Sequence, residues 1–229
     1  MRSTTLPVVA GLAIAATLAP ATAQQPFAGL DLVWVRPAVE PGTPPACARL
    51  LALNTPRDWI PGDAAVAVFA PGDAEAPLRP LVAALLPELA AVLEVPSHPV
   101  EGCLAPPPSP VAEVLGAVRA LRLDASAGLV VAIGLGAAGQ AVLDATSEDV
   151  AARHLGPDGP RLAAAIALDG GGPAAFATGA VPDDQQWAER AALLCAALAS
   201  ASSQVGIGAC LAGLAVDRPL ARAARRPRR

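Results

Sequence analysis

Gly134, Gly136 and Gly139 form a literal G-x-G-x-x-G directly after the apolar run 129–133. An unbroken apolar run rich in β-branched residues reads as a strand buried on both faces of a parallel sheet. Residues 140–146 then read as a helix. Two kinds of chemistry use strand, glycine turn and helix in that order. One is dinucleotide binding, in which glycines let a pyrophosphate approach backbone N–H groups. It also needs an acid at the end of the next strand, ordinarily about 20 residues on. Asp169 is the candidate, 30 residues past Gly139. The other is nucleophilic catalysis, in which a sharp turn lifts a side chain over the sheet edge. That needs Ser, Cys or Asp in the turn, and residues 134–139 hold none of them. The only histidines are His98 and His154. Both lie in polar stretches and are expected on the surface. His154 and Asp169 are the candidate catalytic pair by residue type. Asp169, Asp183 and Asp184 suit turns and helix caps equally well.

Composition narrows the classes. All 16 basic residues are arginine, so a lysine nucleophile or Schiff base is excluded. The formal charge of −4 argues against nucleic acid as a partner. The start reads as a secretory signal: Arg2, an apolar stretch at 6–18, and the small-residue site Ala21-Thr22-Ala23. Cleavage after Ala23 leaves a mature chain from Gln24, expected to be periplasmic or secreted, with no membrane span. Export puts Cys47, Cys103, Cys195 and Cys210 where disulfides persist. Four cysteines allow three connectivities. Pairing of sequence neighbours, Cys47–Cys103 and Cys195–Cys210, is the expected one. No C-x-x-C spacing or Cys/His cluster suggests a metal, and no cofactor is expected beyond the dinucleotide alternative.

The remaining elements must position that turn. Strands are expected at 30–35, 49–54, 64–69 and 90–95, and 162–168 reads as a further buried strand or, since alanine suits either, a helix. Helices are expected at 78–86, with Pro80 in the first turn, and at 110–122. Further helices follow from a cap at Asp183 or Asp184 to about 199, and over 205–216. The segment 147–160 reads as a polar excursion. Proline-rich loops fill 37–45 and 96–109. Strands alternating with helices predict a three-layer α/β/α fold with a mostly parallel sheet. Residues 24–216 form one domain. Residues 217–229, with six arginines from Arg218 onward, form a disordered basic tail able to touch an anionic envelope component.

Over residues 30–172 this order of parts resembles the α/β-hydrolase family, in particular its dienelactone-hydrolase-like members. The family's elbow is G-x-S-x-G on a strand-to-helix turn. Gly134 matches its first glycine, Gly136 falls on the nucleophile and Ala138 on the last glycine. The chain order of the triad is nucleophile, acid, histidine. No histidine follows Asp169. The resemblance therefore implies a degenerate elbow and a protein without the triad, a module that binds a small molecule or an envelope component or serves as a scaffold. One alternative is an ester or lactone hydrolase with an atypical site. The other is a dinucleotide-binding oxidoreductase using Gly134, Gly136, Gly139 and Asp169.

Overall fold

The computed structural model describes residues 27–71, 75–86, 90–97, 100–169, 172–180 and 185–216. The expected signal peptide, His98, Asp183, Asp184 and the basic tail lie outside the described residues. Seven strands form one sheet in the order β1-β2-β4-β3-β5-β6-β7. They are β1 (Phe27–Val35), β2 (Arg49–Pro56), β3 (Ala64–Pro71), β4 (Ala91–Ser97), β5 (Leu129–Leu135), β6 (Ala164–Leu168) and β7 (Ala175–Thr178). β4, β3, β5 and β6 are mutually parallel, whereas β2 opposes both its neighbours and β7 opposes β6. The sheet is thus mixed and mostly parallel, as expected. β5 sits between β3 and β6, and every residue from Leu129 to Gly134 is buried. That burial explains why its sequence is continuously apolar rather than alternating.

Helices cover both faces of the sheet, giving the expected three-layer α/β/α arrangement. One layer holds α2 (Pro110–Arg119), α3 (Ala138–Asp144) and α4 (Glu148–Leu155). Val114, Leu115, Val118, Val142 and Ala151 from these helices pack with Val33, Leu53, Leu93 and Val130 of the strands. The other layer holds α1 (Glu75–Leu85), α5 (Gln185–Ala201) and α6 (Ile207–Gly213). Leu81, Leu85, Trp187 and Leu198 pack there against Val66, Val92, Ile133 and Ile166. No helix among the described residues is long and apolar enough to cross a membrane.

Both expected disulfides are present, Cys47–Cys103 and Cys195–Cys210. The first joins the approach to β2 with the loop after β4. The second joins α5 to α6 within the core.

α2 shows how local chemistry sets an element. Ser109 caps it, its hydroxyl accepting from the Ala112 N–H at 3.2 Å, and Pro110 occupies the first turn. Arg119 in the last turn donates to the Arg36 carbonyl at 2.9 Å, tying the helix to the chain after β1. Beyond Arg119 the helix widens into a π turn at Ala120–Asp124 instead of ending at 122.

Three other expectations are corrected. α1 begins at Glu75, so Pro80 lies inside it, where it forfeits one intrahelical hydrogen bond. The polar excursion contains α4, with Glu148 and Asp149 in its first turn and Arg153 and His154 in its last, each matching the helix dipole. The last strand, β7, is only four residues long and was not expected. After α4, Arg161 gathers the turn at 156–160. Its guanidinium donates to the carbonyls of Gly156, Pro157 and Gly159 and to both oxygens of Glu148. The Arg161 hydrogen bonds hold the Glu148 carboxyl below its ordinary pKa.

Candidate functional site

The glycine turn stands at the carboxyl end of β5, the edge of a parallel sheet where α/β proteins place their ligands. Its glycines differ in what they do. A Cβ on Gly134 would lie 2.5 Å from the Ala138 carbonyl oxygen, so α3 starts against the strand itself. A Cβ on Gly139 would lie 2.9 Å from Cβ of Ala167, so the same helix also touches β6. Gly136 is exposed and has φ +55°, in the left-handed region that favours glycine. Its N–H donates to the Leu168 carbonyl at 2.9 Å, and its own carbonyl accepts from the Gly139 N–H at 3.0 Å. The turn is therefore pinned to the end of β6.

Asp169 follows β6 immediately and is exposed. Its Oδ1 lies 3.5 Å from where a Cβ of Gly139 would be. The fold thus brings Gly134, Gly136, Gly139 and Asp169 together, although Asp169 stands 30 positions past Gly139 in sequence. His154 has other partners. Its Nδ1 donates to the Ala38 carbonyl, and its Nε2 lies 3.5 Å from Glu40 Oε1. Both belong to the segment after β1. Its side chain is 8% exposed, which corrects the expectation of a surface histidine. The reason is α4, which carries His154 inward beneath residues 38–40.

A second arrangement at the same sheet edge has no motif in the sequence. β2 runs against β4, so its first residue, Arg49, stands beside the last residues of β4. Arg49 Nη1 donates to the Pro96 carbonyl at 2.6 Å, and Nη2 to Glu113 Oε1 at 2.8 Å. Glu113 comes from the start of α2, 64 residues away in sequence. The pair is largely buried, 14% exposed at Arg49 and 18% at Glu113. Burial raises the Glu113 pKa above its ordinary 4.5, and the charge of Arg49 opposes that rise without cancelling it. The pair borders a groove of about 420 Å³, walled by Pro37, the Cys47–Cys103 bridge and the prolines 106–108. Glu113 Oε2 takes no hydrogen bond from any described residue. One face of the groove is apolar, and one acceptor is unspent.

The raised pKa gives a pH prediction. Above pH 4.5 the unfolded chain releases the Glu113 proton while the folded chain still holds it. The folded state binds more protons in that window, so this group's contribution to stability falls as pH rises through it. Glu113→Gln removes the fall. The urea midpoint of the variant relative to wild type should climb upward from about pH 4.5 and then level off. A difference that stays flat with pH would mean that the carboxyl ionises as it does in the unfolded chain.

No protein-family model matches the chain, and no curated protein does. Among solved structures the chain is similar to a brefeldin A esterase, a bacterial homologue of human hormone sensitive lipase, at 18% identity and a TM-score of 0.39. The similarity covers 63% of this chain and 40% of the esterase, so the chain spans well under half of that protein's length. A likeness of that size assigns no site and no activity.

Proposed function

We propose that this is an α/β-hydrolase-like protein that binds a small amphipathic molecule in the Arg49–Glu113 groove and does not run a nucleophile–acid–histidine triad. The observation that carries the reading is the free oxygen of Glu113. Glu113 lines a groove of a size suited to small ligands, on the carboxyl edge of a mostly parallel sheet. A ligand with an apolar body and one N–H or O–H donor fits that lining. The glycine turn supports the second half of the reading. At Gly136 there is no side chain to attack a carbonyl, and His154 is engaged by Ala38 and Glu40. Placement near the dienelactone-hydrolase-like members rests on the sequence resemblance. Export belongs to the same proposal. The leader at 1–23 motivates it, two disulfides suit an oxidising compartment, and a mature N-terminus at Gln24 is its check.

The test uses cyclohexanol and N-cyclohexylacetamide as probes. Each has an apolar ring and one donor. Binding to the folded state alone raises the melting temperature by mass action. The expected result is a rise with both probes that Glu113→Ala abolishes. In parallel, p-nitrophenyl acetate should be hydrolysed no faster than in buffer, and NAD should leave the melting temperature unchanged. No probe-dependent rise would overturn the groove. Ester turnover abolished by His154→Ala with Asp169→Ala would establish an atypical hydrolase instead. A rise with NAD that Asp169→Ala removes would establish the dinucleotide site, for which the placement of Asp169 beside the turn is the favouring observation.

A further inference from the structure

The sheet is covered unevenly. Val33 and Val35 of β1, with Leu51 and Leu53 of β2, face the core beneath α2. The opposite face of these two strands carries Leu30, Leu32 and Trp34 with Leu50, all between 46 and 63% exposed. The register sets Trp34 opposite Leu50, Leu32 opposite Ala52 and Leu30 opposite Asn54. Asn54 in turn pairs with Val92, which belongs to the core beneath α1 and α5. The apolar stripe therefore looks out on the side of the sheet that carries α1, α5 and α6. Yet among the described residues none from β1 or β2 belongs to that layer's core. Those helices stop short, and β1 and β2 form a bare ledge.

We propose that a second copy of the chain covers this ledge, making a two-fold dimer packed sheet face to sheet face. Depth argues for this occupant. A helix layer is about 10 Å thick, and sheets stacked face to face lie about 10 Å apart. The ledge is recessed by one helix layer, which is the space one further sheet needs. A copy turned over about a two-fold axis lays its ledge on this one. Its own helix layer then passes the free edge of β1, and the two step-shaped molecules interlock. Chemistry agrees. The four side chains of the stripe are uncharged, the Glu94 carboxylate at the rim is held by the Asn54 amide at 2.9 Å, and the stripe is self-complementary, as an isologous interface must be. Trp34 supplies the large central anchor that such interfaces use. Four side chains exposed to this extent offer on the order of 800 Å² between two copies, and the rim at Ala52 and Asn54 brings that to roughly the 1,000 Å² a specific interface needs. Covering the ledge also removes a liability, because β1 is a nine-residue edge strand without lysine or proline to blunt it.

Sedimentation equilibrium across the micromolar range tests this. Wild type should weigh twice the mass of one chain. Leu32→Lys and Trp34→Lys should weigh one chain, with unchanged far-ultraviolet circular dichroism, since both sites face out of the fold. Leu32→Thr, β-branched and compatible with a strand, should weaken the dimer at least tenfold without loading the strand with charge. Leu104→Lys, at an exposed apolar residue away from the ledge, should leave the dimer intact. A wild type that remains monomeric overturns the proposal, whether the ledge then adsorbs to phosphatidylglycerol vesicles or is covered by residues 1–26. A folded Leu32→Lys that still dimerises overturns it as well.

Discussion

Replacing Cys47 and Cys103 together by alanine is expected to destabilise the fold by roughly 4 kcal/mol in the chain-entropy account of disulfides. The bridge spans 56 residues, and that loop contains β2, β3, α1 and β4. Without it the unfolded chain gains the freedom of the whole segment. The folded state loses little, because both cysteines are only half-buried beside the groove. The bridge Cys195–Cys210 closes 15 residues, and the same account gives about 3 kcal/mol. Both of its cysteines are fully buried in the layer with Trp187 and Leu198, so alanine there also leaves unfilled space. A domain of this size is stable by about 5–15 kcal/mol, so loss of either bridge consumes much of the margin. Urea midpoints of the two double variants measure the effects. Equal effects from the two bridges would point to packing around Cys195 and Cys210 rather than to loop length. Little effect from Cys47 and Cys103 would mean that the unfolded chain stays compact there without the bridge. Full reduction of wild type breaks both bridges and should therefore cost more than either double variant, since all four cysteines are paired.

The same segment shows what could be read from the chain and what could not. β3 and β5 were legible because burial on both faces demands unbroken apolar runs, and 64–69 and 129–133 supply them, whereas the alanines of 162–168 suit strand and helix alike and left β6 open. α2 was legible from Ser109-Pro110 and its apolar stripe. α4 left no stripe, since Ala151 is its only fully buried residue. Its charges at both ends were the available signal. β7 is four residues long and only half-buried, too short for a period to show. The glycine turn could be found by spacing. Its closeness to Asp169 needed the pairing of β5 with β6. The groove could not be found. Arg49 and Glu113 meet only because β2 runs against β4 while α2 starts at that same edge, and no local pattern encodes the meeting. The bare ledge was half visible: residues 30–35 alternate weakly, with apolar residues at both parities.

Gly134→Ala is expected to cost about 3 kcal/mol, as an overpacked position with no soft neighbour. The added Cβ would meet the carbonyl oxygen of Ala138 at 2.5 Å, its carbonyl carbon at 2.7 Å and Cα of Gly139 at 2.9 Å. All three are backbone atoms of the start of α3, so relief requires moving the helix. The strand cannot yield, because Gly134 is paired with Phe69 of β3 on one side and Ala167 of β6 on the other. Gly136→Ala is a different experiment. That residue is exposed, and the cost is the left-handed backbone alone, about 1–2 kcal/mol. The contrast separates packing from conformation within a single turn, and thermal unfolding of the two variants reads it. If both cost the same, the close approach of α3 to β5 relaxes more easily than its backbone contacts imply. Gly136→Ser carries the argument to function. It should cost no more than Gly136→Ala, and it places a hydroxyl where the family resemblance puts the nucleophile. We expect it to gain no esterase activity on p-nitrophenyl acetate. A serine hydroxyl needs a base within hydrogen-bond reach, and among the described residues His154 is the one histidine, bonded instead to Ala38. Turnover by Gly136→Ser would place a working base within reach of the turn after all.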